Sequence, residues 1–314
     1  MNEQRIAVLI PCYNESVTIA KVVHDFRSEL PYARICVFDN NSTDDTIKLA
    51  LSAGAEVYSE KTQGKGAVVR SMFSKIDADI YIMVDGDDQC PADAVHSLIE
   101  PVLLGSADMV IGDRISNGIY AKENTRFGHE FGNHFVRFLV NKIYNSNLKD
   151  IMSGYRVFSR KFAKNFPVQK NGFEIETEIT LHALDNNFEI VQIPIAVRDR
   201  PKNSKSSMNT IRDGLKVILT ILEMFKNYKP LTFFSMIAFM LAIIGIIISI
   251  PVFYDFIYNG GYITHVPLAI LASGIEIIAV LSFFTGLILD VIVNHNRRFY
   301  ALRIIDYQSL CQNH

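Results

Sequence analysis

The chain has 314 residues, of which 49% are hydrophobic and 20% are charged. Its formal net charge is −2 and no long basic run is present, which argues against a protein that binds nucleic acid. None of the four cysteines forms a C-x-x-C pair, so neither a disulfide framework nor a zinc knuckle is expected. The N-terminal segment lacks the long apolar core of a signal peptide, and we therefore expect the first domain to stay in the cytoplasm.

Short apolar runs alternate with helical patterns through the first 115 residues. Strands are predicted at Ile6–Ile10, which Pro11 should end, and at Ile35–Phe38, Glu56–Tyr58, Ile80–Val84 and Met109–Ile111. Helices are predicted at Ser16–Leu30, Gly66–Ile76 and Ala92–Leu103. A further helix is predicted to begin after Ile35–Phe38, with Ser42 or Thr43 as its N-cap. Alternation of this kind is typical of an α/β fold with a mostly parallel sheet covered by helices.

Polar clusters follow three of these strands, at Pro11–Glu15, Asp39–Asp45 and Asp85–Gln89. In open sheets of this class, ligands bind at the carboxyl ends of the strands. We therefore expect the three clusters to lie at the ligand-binding edge.

The pattern becomes more mixed between residues 116 and 205. Helices are predicted at Phe127–Tyr144 and Glu174–Leu184, and strands at Tyr155–Phe158 and Glu189–Val197. A polar, basic loop follows at Arg198–Ser207, and apolar residues then recur at helical spacing from Met208 to Lys226. This last segment is predicted to be an amphipathic helix at a membrane interface, with a soluble core helix as the alternative.

Two long apolar segments predict membrane-spanning helices. Leu231–Tyr254 has 24 residues and no charge, and Val266–Leu289 has 24 residues and a single charge. Both exceed the roughly 20 residues needed to cross a bilayer. The linker Asp255–His265 lacks Lys and Arg, whereas the outer flanks carry Lys226, Lys229, Arg297 and Arg298. The positive-inside rule therefore places both flanks in the cytoplasm.

Glu276 is the single charge and lies near the middle of the second span. A carboxylate there is costly, so Glu276 should face protein or water rather than lipid. An oligomer interface, a path for a lipid phosphate and a protonated, hydrogen-bonded acid are the alternatives.

The strongest chemical signal is the segment Tyr81–Gln89, in which a hydrophobic strand runs into acidic residues. Asp85 and Asp87 lie two positions apart on an extended segment and should point the same way, with Gln89 following. Hard oxygen ligands of this kind suit Mg²⁺ or Mn²⁺, which can neutralise a departing diphosphate. A solvated acidic turn is the alternative, while an EF-hand is excluded because its invariant glycine and final glutamate are missing.

Five segments of the chain form a recognisable set: Val8–Glu15, Phe38–Thr46, Gln63–Ala67, Asp85–Gln89 and Asp150–Arg156. Together they resemble the family 2 glycosyltransferases of the GT-A fold, and within them the dolichyl- and polyisoprenyl-phosphate sugar synthases. The two C-terminal spans resemble the small membrane anchor of bacterial members. The resemblance implies a Rossmann-like, mostly parallel GT-A sheet that binds a nucleotide-sugar.

By this resemblance, the residues that bind the nucleotide-sugar are Pro11, Tyr13, Glu15, Asp39, Lys65 and Asp85. The metal ligands that it implies are Asp85, Asp87 and Gln89. Elementary chemistry agrees, because carboxylates can accept from base N–H and ribose hydroxyl groups and a tyrosine can stack on a base. The alternatives are that Pro11 only ends a strand, that Glu15 only occupies a first helical turn and that Gly64–Gly66 is a plain turn.

The resemblance further implies catalytic roles for Asp87, Asp150 and Arg156. Asp150 is the candidate base, but a phosphate acceptor is already nucleophilic near neutral pH, and the alternative is that Asp150 orients Arg156 or the acceptor. The basic residues expected to meet phosphate are Arg114, Arg126, Arg200 and Lys205. Arginine binds phosphate bidentately, while a patch that touches anionic lipid is the alternative for the last two.

Two further clusters have competing interpretations. Glu176 matches an acidic position in the family, although charges on a helix face are more often solvated. His129 and His134 are separated by five positions and do not share a helix face, which argues against a zinc site.

The sequence thus predicts transfer of a sugar from a nucleotide-sugar to an undecaprenyl-type polyisoprenyl phosphate, by single displacement with inversion, at the cytoplasmic membrane. UDP is the preferred nucleotide, with GDP left open, as are the sugar and the self-association of the chain. The expected parts are a cytoplasmic GT-A domain at 1–206, an amphipathic juxtamembrane helix at 207–229, a two-span anchor at 230–294 and a cytoplasmic tail at 295–314. A membrane glycosyltransferase with a glycan acceptor and a non-catalytic membrane scaffold are the alternatives.

Overall fold

The computed structural model of the protein describes residues 4–116, 127–172, 174–198, 219, 222–258 and 260–312. The chain divides into two compact units, Met1–Thr220 with Asp306–His314, and Ile221–Ile305. The first unit carries the sheet, and the second carries most of two long apolar helices.

Within the described ranges, seven strands form one sheet in the order β3-β2-β1-β4-β6-β5-β7. The strands are β1 (Ile6–Cys12), β2 (Arg34–Asp39), β3 (Glu56–Ser59), β4 (Ile80–Met83), β5 (Met109–Asp113), β6 (Arg156–Ser159) and β7 (Ile190–Pro194). Strand β6 runs antiparallel to both of its neighbours, and the other pairs are parallel. The mostly parallel sheet expected from the alternating pattern is therefore confirmed.

Helices cover the sheet and connect its parallel strands. They are α1 (Ile19–Glu29), α2 (Thr46–Ser52), α3 (Lys65–Lys75), α4 (Val95–Leu103), α5 (Phe127–Tyr144), α6 (Arg160–Asn165) and α7 (Ile175–Asp185). The short helix α6 was not expected from periodicity. It begins at a local signal instead, because the Ser159 hydroxyl accepts a hydrogen bond from the backbone N–H of Phe162 at 3.1 Å and so caps the helix.

Several element boundaries differ from those predicted, and hydrogen bonding explains two of them. Strand β1 does not end at Pro11 but continues to Cys12. Strand β4 pairs with β1 only as far as Leu9, so on that side Pro11 has no neighbouring strand to which a backbone N–H would donate. The missing N–H of proline is therefore tolerated there. Helix α2 begins at Thr46 rather than at Ser42 or Thr43, because those two residues bind the neighbouring loop.

The core lies on both faces of the central strands. Strand β4 is buried along its whole length and β1 along most of it, as expected of a sheet with helices on either side. On one face, Val8 and Ile10 of β1 belong to the same apolar cluster as Phe26 of α1 and Leu98 of α4. The strand ends that carry polar residues are thereby held by a rigid apolar layer.

Two apolar helices follow, α8 (Pro230–Tyr258) and α9 (Val266–Gln312). Pro230–Tyr258 and Val266–Tyr307 are long and apolar enough to cross a membrane, and an 18-residue stretch of each has a mean hydropathy of 2.8 and 2.3, respectively. The second helix continues well beyond the span predicted from the sequence. A Cβ atom at Gly245 of α8 would collide with the carboxyl group of Glu276, which therefore packs against the other helix of the pair.

His182 of α7 lies in an aromatic cluster on the other side of the sheet. Its ring centroid is 5.0 Å from that of Phe166 and 6.0 Å from that of Phe188. Burial lowers the pKa of His182 from 6.5 to about 4, because a charged imidazole would lose its hydration there. The folded protein therefore holds this side chain neutral over a pH range in which the unfolded chain protonates it.

We predict that His182 makes the fold sensitive to acid. As the pH falls from 6.5 to about 4, the unfolded chain takes up a proton that the folded chain excludes, and the free energy of unfolding should fall by about 3 kcal/mol. Thermal melting of the detergent-solubilised protein across this range measures the effect. His182→Phe should remove that share of the pH dependence and His24→Gln, at an exposed position, should not. Equal pH dependence in wild type and His182→Phe would contradict the prediction.

Candidate active site

The polar clusters after β1, β2 and β4 meet at one edge of the sheet. Cys12 and Asp39, the last residues of their strands, are register partners. The backbone N–H of Asn40 donates to the carbonyl of Cys12 at 2.9 Å, and the Thr18 hydroxyl donates to the carbonyl of Gly86 at 2.6 Å. The loops that follow the three strands are thus tied to one another.

Side chains after β2 hold the loop after β1. The backbone N–H of Asn14, a residue with φ of 57°, donates to the Ser42 hydroxyl at 2.9 Å, and the N–H of Thr43 donates to Asn14 Oδ1 at 2.8 Å. The N–H of Glu15 donates to the Thr46 hydroxyl at 2.9 Å. The serine and threonines therefore position the loop that carries Tyr13 and Glu15.

Asp39 presents a buried acceptor at this edge. Its side chain is only 2% exposed, and Oδ2 accepts a hydrogen bond from the N–H of Ser42 at 3.2 Å. Oδ1 is buried and has no hydrogen-bond partner in the part of the chain that the structure describes. Such an oxygen needs a donor from a ligand or from water. Tyr13 is two fifths exposed at the same edge.

Asn40 is a site residue to which the sequence pattern gave no role. Its Nδ2 donates to the carbonyls of Glu60 at 2.9 Å and Thr62 at 2.8 Å, and its Oδ1 accepts from the N–H of Gly64 at 2.7 Å. Asn40 thereby fixes the loop that leads into α3. The available signal was an asparagine directly after a buried strand, beside the acid expected to bind the nucleotide.

The glycines around Lys65 are required by close packing of two backbone segments. Gly64 has φ of 129°, and a Cβ atom at Gly64 or Gly66 would collide with the backbone carbonyl of Asn171 or Lys170. The N–H of Gly66 donates to the carbonyl of Asn171 at 2.9 Å. This turn is therefore more than a plain helix start, because it docks on residues 170–171 and fixes the base of Lys65.

Lys65 lies between two carboxylates. Its Nζ is 2.5 Å from Asp85 Oδ1 and 2.6 Å from Glu176 Oε1, and its side chain is only 10% exposed. Burial alone would lower the pKa of Lys65, but the charges of Asp85 and Glu176 outweigh burial and raise that pKa above its ordinary value. Gly154 closes the cluster, since a Cβ atom there would collide with the Asp85 carboxylate. Glu176 is therefore a member of the site rather than a solvated acid on a helix face.

The acidic turn after β4 offers ligands for a divalent cation. Asp85 and Asp87 supply carboxylate oxygens, and Asp87 is 6% exposed and accepts a hydrogen bond from the N–H of Gln89 at 3.2 Å. Among the residues that the structure describes, no group of three or more His, Cys, Asp or Glu side chains is arranged to hold a metal alone. The donor set thus fits Mg²⁺ or Mn²⁺ bound through one or two carboxylates and completed by phosphate oxygens and water.

Asp88 in the same turn points to a different set of partners. It has φ of 61°, and its Oδ1 is 2.8 Å from Lys21 Nζ and 3.7 Å from a guanidinium nitrogen of Arg198. The N–H of Arg198 also donates to the carbonyl of Gln89 at 2.9 Å. The acidic turn after β4 is thereby attached to α1 and to the start of the polar segment that follows β7.

Asp150 forms a buried ion pair with Arg114. Its oxygens accept from Arg114 Nε at 2.8 Å and from a terminal guanidinium nitrogen at 3.1 Å. Burial alone would raise the pKa of Asp150, but the charge and hydrogen bonds of Arg114 outweigh it and hold the pKa below its ordinary value. An ionised carboxylate of low basicity is a poor proton acceptor. The geometry therefore favours an orienting role for Asp150, with Arg114 rather than Arg156 as the oriented residue.

Arg156 is buried in the interior of the protein, and its expected catalytic role stays a prediction. Its guanidinium is fully buried and donates to the carbonyls of Ile151 at 2.6 Å, Ser153 at 2.8 Å and Glu176 at 3.0 Å. It also donates to the Thr180 hydroxyl at 2.9 Å. Burial lowers the pKa of Arg156 to about 10, which leaves it charged at neutral pH. The side chain braces the backbone of 151–153 against α7.

Several expected features lie outside the described residues. They are Arg126, Arg200, Lys205 and most of the amphipathic segment Met208–Lys226. The side chains of His129 and His134 lie outside them as well.

Comparison with known proteins places the site in a family context. Residues 7–166 match the family model described as Glycosyl transferase family 2. The chain is 30% identical over 293 residues to glycosyltransferase AglJ of Haloferax volcanii, an alignment that covers 93% of this chain and 95% of the relative. It is 27% identical over 220 residues to a UDP-N-acetylglucosamine–dolichyl-phosphate N-acetylglucosaminyltransferase of Methanococcus voltae, covering 62% of this chain and 86% of the relative.

A solved structure shares the fold. Glucosyl-3-phosphoglycerate synthase from Mycobacterium tuberculosis, in a complex with Mn²⁺, UDP and glucosyl-3-phosphoglycerate, aligns with a TM-score of 0.58 and 22% identity. The alignment covers 71% of this chain and 80% of the synthase. The sheet described above is therefore of the GT-A type expected from the sequence.

We predict that Arg156 governs stability. Arg156→Lys keeps the charge but has three N–H donors where the guanidinium contacts four oxygen atoms, so at least one buried contact is lost, which should lower the free energy of unfolding by about 3 kcal/mol. The thermal midpoint in detergent measures this loss. Arg27→Lys makes the same change at an exposed arginine that donates to the Gly54 carbonyl at 2.6 Å, and it should alter the midpoint little. An unaltered midpoint in Arg156→Lys would show that the buried hydrogen bonds of Arg156 do not stabilise the fold.

Proposed function

The chain belongs to glycosyl transferase family 2, and we propose that it transfers a sugar from a nucleotide-sugar to a polyisoprenyl phosphate at a membrane surface. The observation that carries the proposal is that one chain combines a carboxylate-lined GT-A edge with two helices of membrane-spanning length. The name of the Methanococcus relative, which pairs a UDP-sugar with dolichyl phosphate, supports the same combination of donor and acceptor.

In this proposal the donor's nucleotide binds across the ends of β1 and β2. Asp39 Oδ1, buried and without a described protein donor, accepts from a base N–H group, and Tyr13 stacks on the base. Glu15 and the backbone around Pro11 contact the ribose side. Lys65 contacts the diphosphate with its ammonium group. We prefer UDP as the nucleotide, which the UDP complex of the structural neighbour supports.

Asp85 and Asp87, with Gln89 beside them, are the residues proposed to hold Mg²⁺ or Mn²⁺. Such an ion, when bound, neutralises the charge that develops on the departing nucleoside diphosphate. The Mn²⁺ in the complex of the structural neighbour supports the use of a divalent cation. A carboxylate pair supported by Lys65 and backbone N–H groups keeps these oxygens oriented before the donor arrives.

The acceptor phosphate is proposed to bind beside Arg114, whose guanidinium is fixed by ionised Asp150. A phosphate oxygen attacks the anomeric carbon, the bond from that carbon to the diphosphate breaks, and its electron pair leaves with the nucleoside diphosphate. A phosphate monoester is nucleophilic near neutral pH, so the step needs no strong base. Without an enzyme nucleophile in the scheme, the anomeric centre inverts. Arg126, Arg200 and Lys205 remain proposed phosphate contacts.

The apolar helices α8 and α9 are proposed to anchor the chain in a cytoplasmic membrane. Lys226, Lys229, Arg297 and Arg298 flank them and favour a cytoplasmic location of both flanks. Residues 1–206 then form the cytoplasmic catalytic domain, 207–229 a juxtamembrane helix and 295–314 a cytoplasmic tail. An acceptor whose tail is dissolved in the same membrane meets the donor at high effective concentration. An undecaprenyl-type lipid is the proposed acceptor.

We predict metal-dependent formation of a lipid-linked sugar. Purified protein is incubated with a short-chain polyisoprenyl phosphate, radiolabelled UDP- and GDP-sugars and Mn²⁺ or Mg²⁺, and label is counted in the chloroform phase. Asp87→Ala should lower the rate at least about a hundredfold, because the developing charge on the leaving diphosphate loses a metal ligand.

The matched control for this assay is Asp93→Ala, which removes an exposed aspartate six positions further along the chain. It should retain the wild-type rate. Binding of UDP without chloroform-soluble product from any donor would refute the lipid acceptor and point to a glycan acceptor. Absence of any nucleotide binding would point to a scaffold.

A further inference from the structure

Lys65 contacts Asp85, one of the two carboxylates proposed above to hold the divalent cation. Its ammonium group is 2.5 Å from Asp85 Oδ1 and 2.6 Å from Glu176 Oε1, and the side chains of Lys65 and Glu176 are 10% and 7% exposed. An ammonium group has three N–H donors, and these two carboxylates take two of them. The remaining donor is available to a third anionic group.

A cation that binds Asp85 meets Lys65 as a competitor. Two positive charges on one carboxylate repel each other, and the repulsion is strong because the site is partly shielded from water. The repulsion falls when a group with several negative charges joins the cluster. A diphosphate is such a group, since its oxygens can accept from Lys65 and coordinate a cation at the same time.

We propose that Lys65 is an internal counter-ion of the metal motif, which neutralises Asp85 while no cation is bound and turns to the donor's diphosphate once a cation takes that carboxylate. The proposal deepens the function proposed above and rests on its metal-dependent donor site. It makes cation and donor bind cooperatively, each weakly alone and tightly together. The buried turn would then not hold a divalent cation before the donor arrives.

Glu176 is the positioning residue in this exchange. Its backbone carbonyl accepts from Arg156 at 3.0 Å, so its place on α7 is fixed from inside the protein. Its carboxylate stays with Lys65 when Asp85 is released, and it keeps the ammonium group at the donor site. Gly154 leaves no side chain between Asp85 and Lys65, where a Cβ atom would collide with the Asp85 carboxylate and lie 3.1 Å from Lys65 Nζ.

Titration of Mn²⁺ into the full-length protein in detergent, followed by the electron paramagnetic resonance signal of free Mn²⁺, tests the proposal. Without nucleotide, Lys65→Met should bind Mn²⁺ about tenfold more tightly than wild type, because the competing cation is gone. With Mn²⁺ present, the same variant should bind UDP about tenfold more weakly, because a phosphate contact is gone. Lys75→Met, an exposed lysine at the end of the same helix, should match wild type in both titrations.

Opposite changes in the two affinities are the signature of the exchange, and damage to the fold cannot produce a tighter site. Equal Mn²⁺ affinity in wild type and Lys65→Met, including no binding by either, overturns the proposal. If melting shows that Lys65→Met does not fold, Glu176→Gln decides. This variant leaves Asp85 as the charged partner of Lys65, so Lys65 should hold Asp85 more strongly and Mn²⁺ should bind more weakly without nucleotide. Unchanged or tighter Mn²⁺ binding by Glu176→Gln overturns the proposal. No sugar acceptor is present in these titrations, so a missing lipid-linked product refutes the proposed acceptor separately.

Discussion

A buried guanidinium connects the two sides of the candidate active site. Arg156 donates to the carbonyls of Ile151 and Ser153, which follow Asp150, and to the carbonyl of Glu176 on α7. The contacts with Ile151 and Ser153 fix the backbone next to Asp150, which in turn holds Arg114. The contact with Glu176 fixes the residue that holds Lys65. A charge that cannot reach water must have its hydrogen bonds satisfied, so this one side chain constrains several backbone segments at once.

The site itself is a set of compensated charges. Lys65 is shared by Asp85 and Glu176, and Arg114 is held by Asp150, so each cation is oriented by a carboxylate before any ligand binds. Fixed dipoles and charges of this kind need little rearrangement when a reaction develops charge beside them. Asp39 differs, because one of its buried oxygens has no described protein donor. The edge therefore combines one buried acceptor that lacks a described donor with charges that are already paired.

Two acidic residues of the apolar helices also have protein partners. Glu276 packs against Gly245, where the absence of a side chain leaves room for the carboxyl group. Near the C-terminal end of α8, Asp255 accepts hydrogen bonds from the N–H of Thr264 at 2.9 Å and from the His265 ring at 2.7 Å. Both acids thus lie against protein groups, which agrees with the high cost of an unpartnered polar group on a helix that crosses a membrane.

Sequence patterns determined most of the secondary structure and the identity of the site-bearing loops. Apolar runs of strand length, alternating with helical periods, were enough to predict a mostly parallel sheet, and the polar clusters after β1, β2 and β4 were enough to predict that they meet at one edge of it. Long apolar segments likewise predicted α8 and α9. These features depend on local hydrophobicity and chain direction, which a sequence displays directly.

Tertiary structure decided which charged residues meet. Arg156 and Arg114 are both arginines beside family-like motifs, yet one is sealed in the core and the other pairs with Asp150 at the site. Asn40 and Glu176 acquire their roles only because β2, β4 and α7, distant in sequence, converge on α3 and the loop before it. Burial and pairing of a charge depend on partners brought from elsewhere in the chain. A single sequence states the residue types and their spacing, but only the folded chain decides which partner each one finds.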